Sequence, residues 1–337
     1  MKAQVKEIIS TVLRVILGLV FCASAILKLV SINDFEIYLT SLGLFGFDVA
    51  SLLGRILIIA ELILGVAIIS GWWQRLVYSL TIVALVAFSA FLLWRIAVGD
   101  SESCHCFGTV VEMNPLQSLL KNLLALCFVA YLCFFRSIAF FGGWKYKIYV
   151  AVAFSVVAFA VIMAINPPDF FLRMTKRVSS DVNVEELAKY TDDTPINEGR
   201  HLVFFYSPVC PHCCHCAAKM EAIINYHGIP KESCYAFFMQ TVNEMDDAVA
   251  EFWQRCAGVG NPLGTQQDDA DESADKDSVS SDPQSPYAYK YIHPYLFIPI
   301  TNGNIPIVCL FEDGKMVKEY DVFTIDEREI TDFLLPR

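Results

Sequence analysis

Five stretches of apolar sequence, each long enough to cross a bilayer, constrain this chain more than anything else in it. They run over residues 8–30, 50–73, 76–94, 115–135 and 148–165. At about 1.5 Å per residue, a helix of roughly 20 residues spans a hydrocarbon core of about 30 Å. The last stretch is the shortest, but it carries no charge and runs into Asn166-Pro167-Pro168, which stops a helix. A mean hydropathy of +0.47 with only 18% charged residues excludes an ordinary cytosolic globular protein. Ala23-Ser24-Ala25 resembles a signal-peptidase site, which leaves a cleaved signal peptide as the alternative for the first stretch. The apolar run continues past it to Val30, as a span requires.

Charge orients the spans. One set of loops holds Lys2, Lys6, Arg75, Arg136, Lys145 and Lys147, and the other holds Asp34, Glu36, Asp48, Asp100, Glu102 and Glu112. The basic set is expected on the cytoplasmic side. An odd number of spans then places the second half of the chain outside, so the expected location is a bacterial inner membrane with an extracytoplasmic, periplasmic C-terminal domain. That half, from Pro167 on, carries 14 Lys/Arg against 28 Asp/Glu, and the whole chain has a net charge of −11. Nucleic acid is therefore not expected as a partner, because phosphate binding needs clustered cations.

The expected organisation is an α-helical membrane bundle over residues 1–166, a tether over 167–200 and an α/β domain over 201–337. Residues 201–207 read as a strand, 210–226 as a helix, 235–239 as a strand and 243–256 as an amphipathic helix. Two strands at 307–311 and 316–320 flank Asp313-Gly314, a strong hairpin signal. Residues 326–335 read as a closing helix with acidic residues in its first turn. Between about 258 and 287 the chain is rich in Asp, Ser, Gly and Pro, which predicts a disordered acidic insertion.

Twelve cysteines supply the chemistry. Cys22, Cys127 and Cys133 lie within spans, where Cys is usually a small packing residue. Cys234, Cys256 and Cys309 fall in or beside elements of the α/β domain, as core residues or a structural bridge. The others cluster in Cys104-His105-Cys106 and in Cys210-Pro211-His212-Cys213-Cys214-His215-Cys216. Cys210 stands where a strand leads into a helix. There the positive end of the helix dipole favours a thiolate, which makes Cys210 the expected nucleophile and Cys213, one turn deeper, the resolving thiol. A metal site built from Cys210, Cys213, Cys214 and Cys216 is the alternative. It is disfavoured because Cys216 points to the side of the face shared by the other three.

This segment resembles the thioredoxin superfamily, and Cys-Pro-His-Cys is the dipeptide variant of strongly oxidising, DsbA-type thiol oxidases. The resemblance extends to Gly303-Asn304-Ile305-Pro306, which looks like the family's cis-proline loop and implies that Pro306 packs against the cysteine pair and helps bind substrate backbone. It departs from the pattern at Phe204, where the family usually has a buried acid six residues before the first Cys. Deprotonation of Cys213 then needs another base, with His212, His215 or water as candidates.

Cys104-His105-Cys106-Phe107-Gly108 precedes Asn114-Pro115, a helix cap and first residue. Two cysteines one residue apart close a strained ring of the labile, oxidising kind. Together with Arg14, Gly18, Lys28, Glu61, Gly65 and Asn122, this loop makes the membrane half resemble the DoxX-like MauE family of methylamine-utilisation proteins. That resemblance implies a membrane partner for thioredoxin-like disulfide formation, here fused to its partner domain. The expectation is a membrane-bound thiol–disulfide oxidoreductase acting on thiols of exported client proteins. Cys104/Cys106 relay electrons from Cys210/Cys213, and a quinone is the possible acceptor, with no covalently bound cofactor. Arg14 and Glu61 are costly intramembrane charges, read as an interhelical pair or as groups handling protons or quinone. Arg55 and Lys121 are expected to snorkel. A reductive relay through Cys22 with Cys127 or Cys133, and a membrane-anchored metal-delivery protein, are the competing functions.

Overall fold

The computed structural model describes residues 2–98, 113–134, 144–175, 182–191, 194–242, 245–257, 259 and 285–335. Most of the acidic insertion expected at 258–287, and both Cys104 and Cys106, lie outside the described residues. The chain divides into two compact units, Met1–Glu36 with Leu52–Pro167, and Ile37–Ser51 with Pro168–Arg337.

The first unit is helical. Helix α1 (Lys2–Val30) is followed by the short α2 (Ile32–Ser41), which belongs to the second unit from Ile37 on, then α3 (Phe47–Ser70), which belongs to the first unit from Leu52 on, α4 (Gln74–Val98), α5 (Pro115–Phe134) and α6 (Trp144–Ile165). Five of these, all but α2, are long and apolar enough to cross a membrane. Leu17, Ile68, Val77, Tyr78, Leu85, Val129 and Leu132 pack between helices, while Val83, Leu120, Val156 and many like them face outward. Apolar residues on the outside are what a lipid-facing surface requires.

Helices α1 and α3 meet through two glycines. A Cβ on Gly65 would fall 2.7 Å from the Cys22 sulfur and 2.9 Å from the Gly18 carbonyl oxygen, and one on Gly18 would fall 2.7 Å from the Gly65 carbonyl. Small residues at such a crossing let backbones approach closely. Gly65→Leu is expected to destabilise the bundle by roughly 1–3 kcal/mol through overpacking, seen as a lower melting temperature of the solubilised chain. An unchanged melting temperature would mean that the two helices can separate at no cost.

The intramembrane charges are partnered differently from the sequence expectation. Glu61 pairs with Lys28 at 2.5 Å and accepts from the Ser24 hydroxyl at 3.3 Å, while Arg14 lies fully buried against Gly71. Lys28 lies fourteen residues beyond Arg14 on α1, about 21 Å further along the helix, and Glu61 is level with Lys28, so the expected Arg14–Glu61 pair is not made. Arg55 does not snorkel. Both it and Glu36 are 3% exposed and form a buried ion pair, and Arg55 also donates to the carbonyls of Asn166 and Pro167. A guanidinium with its donors satisfied in this way has no need to reach for water.

The second unit is built on a five-stranded mixed sheet. In chain order its strands are β1 (Arg200–Tyr206), β2 (Cys234–Met239), β3 (Ala288–Ile292), β4 (Ile307–Glu312) and β5 (Lys315–Tyr320), arranged β3-β2-β1-β4-β5. β1 is parallel to β2, β2 is parallel to β3, and β4 is antiparallel to both β1 and β5. The hairpin between β4 and β5 turns at Asp313 and Gly314, with φ of 49° and 74°. Positive φ at both central residues is the two-residue turn that an Asp-Gly sequence favours.

β1 is central and feeds two cores. Leu202, Phe204 and Tyr206 point to one face, under helices α9 (Pro211–His227), α10 (Met245–Ala257) and α12 (Glu327–Leu334). Val203 and Phe205 point to the other, with α11 (Pro294–Thr301) and Val182, Leu187 and Ile196. A strand covered on both faces reads as a continuous apolar run, which is what His201 to Tyr206 shows. The stretch expected as a tether is more folded than that role needs. It holds α7 (Asp169–Thr175) and α8 (Val184–Leu187), and Leu187 and Ile196 are buried because their side chains complete the second core. This is a five-helix membrane bundle and a thioredoxin-like α/β domain in one chain.

Candidate active site

The site begins where β1 ends. After Tyr206 the chain turns through Ser207-Pro208-Val209, the N–H of Cys210 donates to the Ser207 carbonyl at 3.1 Å, and α9 starts at Pro211 with Cys210 as its N-cap residue. Proline suits that first position because its missing N–H would have had no helical partner. Cys210 is half-buried, His212 is exposed and Cys213 is completely buried. The Cys213 thiol accepts from the backbone N–H of Ser207 at 3.4 Å and lies one helical turn on from Cys210. The two cysteines expected to exchange are therefore side by side, one accessible and one not. Burial pushes the Cys213 thiol well above the ordinary thiol range, and only the Ser207 N–H opposes it.

Pro306 is placed at the same end of the sheet. Ile307 pairs with Phe205 across the β1–β4 ladder, so Pro306 lies level with the end of β1, next to the turn that leads to Cys210. It is buried, and the Ile305–Pro306 peptide bond is cis. Phe204 stacks on Tyr206 with ring centroids 5.5 Å apart. The position beneath the helix thus holds an aromatic ring.

The remaining cysteines of the cluster separate. Cys216 is fully buried beside the Tyr206 hydroxyl, and burial pushes its thiol up to about 12, with the charge of Lys219 acting in the opposite direction. Cys214 is buried in the core that α9 shares with α10, which also holds Cys256. Cys234 and Cys309 are core residues on opposite faces of the sheet. Among the described residues, no group of three or more His, Cys, Asp or Glu side chains is placed to hold a metal ion. In the membrane unit, Cys22 lies against Gly65, whereas Cys127 and Cys133 are exposed on α5.

Two residues that the sequence did not mark support this geometry. Arg255 of α10 donates to the Pro208 carbonyl in the turn before Cys210. Lys219, only 5% exposed, pairs with Asp169 and donates to the Val322 carbonyl at 2.7 Å. Its signal was present as a lysine on the apolar face of α9, three residues after Cys216, where a charge needs a partner.

Buried thiols make stability depend on pH. Cys216 and Cys234 are each pushed up from 9.0 to about 12 by burial. In the unfolded chain they release their protons near pH 9, and in the folded chain they keep them. Above that pH the unfolded state binds fewer protons, so stability falls by about 1.4 kcal/mol per pH unit for each thiol until the folded value is reached. Denaturant unfolding of the reduced chain at pH 8 and pH 10 is expected to show this loss. Equal stability at the two pH values would contradict the burial of these thiols.

A βαβ unit followed by a hairpin and a closing helix, with a cysteine pair at the start of its first helix, defines the class as thioredoxin-like. Residues 6–135 match the family described as "Methylamine utilisation protein MauE", so the N-terminal part of the chain carries a MauE family domain. Over 195 residues the chain is 29% identical to "Protein TlpB" of Flavobacterium psychrophilum. The aligned part is 55% of this chain and 50% of that protein, so the chain spans about half the length of this curated relative. No solved structure matches.

Proposed function

We propose that the chain is a membrane-anchored protein thiol–disulfide oxidoreductase that forms disulfides in exported proteins, with Cys210 and Cys213 as the exchanging pair. The observation that carries this reading is the half-buried Cys210 at the N-cap of α9 with the buried Cys213 one turn along the same helix. A client thiolate attacks the Cys210 sulfur of the Cys210–Cys213 bond. Cys213 leaves and takes up a proton, which its burial favours. A second client thiolate then attacks the client sulfur of the mixed disulfide, and Cys210 leaves as a thiolate at the positive end of the α9 dipole. Pro306 borders the exchange, and the exposed His212 is a candidate to carry the proton.

In this reading Cys104/Cys106 reoxidises the pair, and the α/β domain faces the periplasm. Glu61 is engaged by Lys28 and Ser24, and Arg14 is packed on Gly71. These charges serve the bundle, and the exchange is derived without a quinone step. In cells with a permeabilised outer membrane, an alkylating reagent that cannot cross the inner membrane is expected to label reduced Cys210. Replacing Cys104 and Cys106 by Ser is expected to leave Cys210 and Cys213 reduced. Labelling only after the inner membrane is opened would overturn the orientation, and an oxidised Cys210–Cys213 pair in the Ser variant would overturn the relay.

A further inference from the structure

Residues Ile37–Ser51 belong to the second unit although they lie inside the stretch that matches the MauE family. The reason starts at Gly46. The N–H of Ala50 donates to the Gly46 carbonyl at 2.9 Å, so α3 starts from this glycine. The first N–H groups of a helix have no partner within it, and a polar side chain at this position usually meets them. Glycine has none to offer. Glu327, at the start of α12, supplies the cap instead, because its carboxylate accepts from the N–H of Phe47 at 2.7 Å and from that of Asp48 at 3.1 Å. His227 Nε2 lies 3.2 Å from the same carboxylate.

The side chains of this segment are met as closely as its backbone. Lys219 Nζ lies 4.4 Å from the centre of the Phe47 ring, and Arg173 pairs with Asp48 at 2.6 Å while donating to the Ile325 carbonyl. Ile37 and Phe47 are buried in the core that α9, α10 and α12 share. A side chain at position 46 has no room, since a Cβ there would fall 2.8 Å from the Glu327 oxygen that accepts from Asp48.

We propose that Ile37–Ser51 is a docking element, and that the surface formed by Lys219 and His227 of α9, Glu327 of α12 and Arg173 of α7 is its receptor, a noncovalent joint that holds even when the chain is cut between them. The partner this surface fits is a polypeptide of defined chemistry, namely a helix start without a cap of its own, an aromatic ring at its first position and an acid at its second. Each group meets its complement, carboxylate to N–H, ammonium to ring and guanidinium to carboxylate. Lys219 and His227 stand eight and sixteen residues after Pro211, about 12 and 24 Å along α9. Docking therefore uses the middle and far end of the helix whose start carries Cys210, and it needs none of the thiols of the proposed exchange.

The test uses the full-length chain in detergent, with the recognition sequence of a site-specific protease inserted after Ser179, between α7 and α8. After cutting, size-exclusion chromatography reads how much of the C-terminal fragment still elutes with the membrane fragment. The two are expected to stay joined in the otherwise unaltered chain. Phe47→Ala removes the ring and Gly46→Val sets a side chain against the Glu327 carboxylate, and each is expected to lower the joined fraction roughly tenfold or more. Both substitutions lie in the membrane fragment, so the released fragment has its own sequence unaltered, and if Gly46→Val fails to fold, Phe47→Ala decides. Separation of the fragments in the otherwise unaltered chain would overturn the proposal. A joined fraction undiminished in Phe47→Ala would do the same, because other contacts would then hold the fragments together. No cysteine is altered, so neither result depends on whether Cys210 acts on client proteins.

Discussion

Cys213→Ala is expected to accumulate client proteins joined to Cys210, while Cys210→Ser is expected to abolish exchange altogether. The asymmetry follows from where the two thiols sit. Cys210 is half-buried at the start of α9, whereas Cys213 is enclosed and accepts from the Ser207 N–H. Without Cys213 the Cys210 thiolate can still attack an existing client disulfide, one client sulfur leaving as a thiol, but the intramolecular attack of Cys213 on Cys210 that would resolve this link is gone. That route has an effective concentration of the order of molar or above for well-aligned groups, so its loss slows release by several orders of magnitude. The check is non-reducing electrophoresis of cells expressing each variant, followed by identification of the partners. Equal trapping by Cys210→Ser and Cys213→Ala would show that the roles are misassigned. Trapping by Cys216→Ala instead would identify that residue as the resolving thiol.

Lys219→Met is expected to cost about 3–5 kcal/mol of stability, the usual result of removing one partner of a buried ion pair. Asp169 keeps a charge that is only 14% exposed, and the Val322 carbonyl loses its donor. The companion Asp169→Asn change in the same chain should recover part of the loss, because the stranded charge is then gone. Denaturant unfolding of the two variants measures this directly. If Lys219→Met alone is as stable as the unaltered chain, the ion pair is a surface feature and Lys219 does not position α9.

The apolar spans, the order of helical bundle before α/β domain and the place of Cys210 at a helix start were all legible in the order of the residues. Periodicity and helix-end chemistry act over short distances, and the Cys210-Pro211 start of α9, the Asp313-Gly314 turn and the Asp326 cap of α12 are all local. Strand β3 and helix α11 were not anticipated. Ala288 to Ile292 mixes Lys and Tyr because it is an edge strand paired only with β2, and α11 contains Pro299, which argues against a helix by sequence alone.

Partner choice was the other thing that sequence order could not decide. Arg14 and Glu61 looked like natural partners because both are charges within spans, yet their levels along α1 and α3 differ by several turns, so Lys28 meets Glu61 and Arg14 meets Gly71. Cys214 looked like a spare thiol in a crowded motif, and the fold buries it in the core that α9 and α10 share. By itself the sequence determined that this chain crosses a membrane and that its helix α9 starts with an accessible thiol, because span length and helix ends depend on neighbours in the chain. Only the tertiary structure decided which charges neutralise each other and which thiols are enclosed, because those outcomes depend on residues dozens of positions apart, and packing, not spacing, selects them.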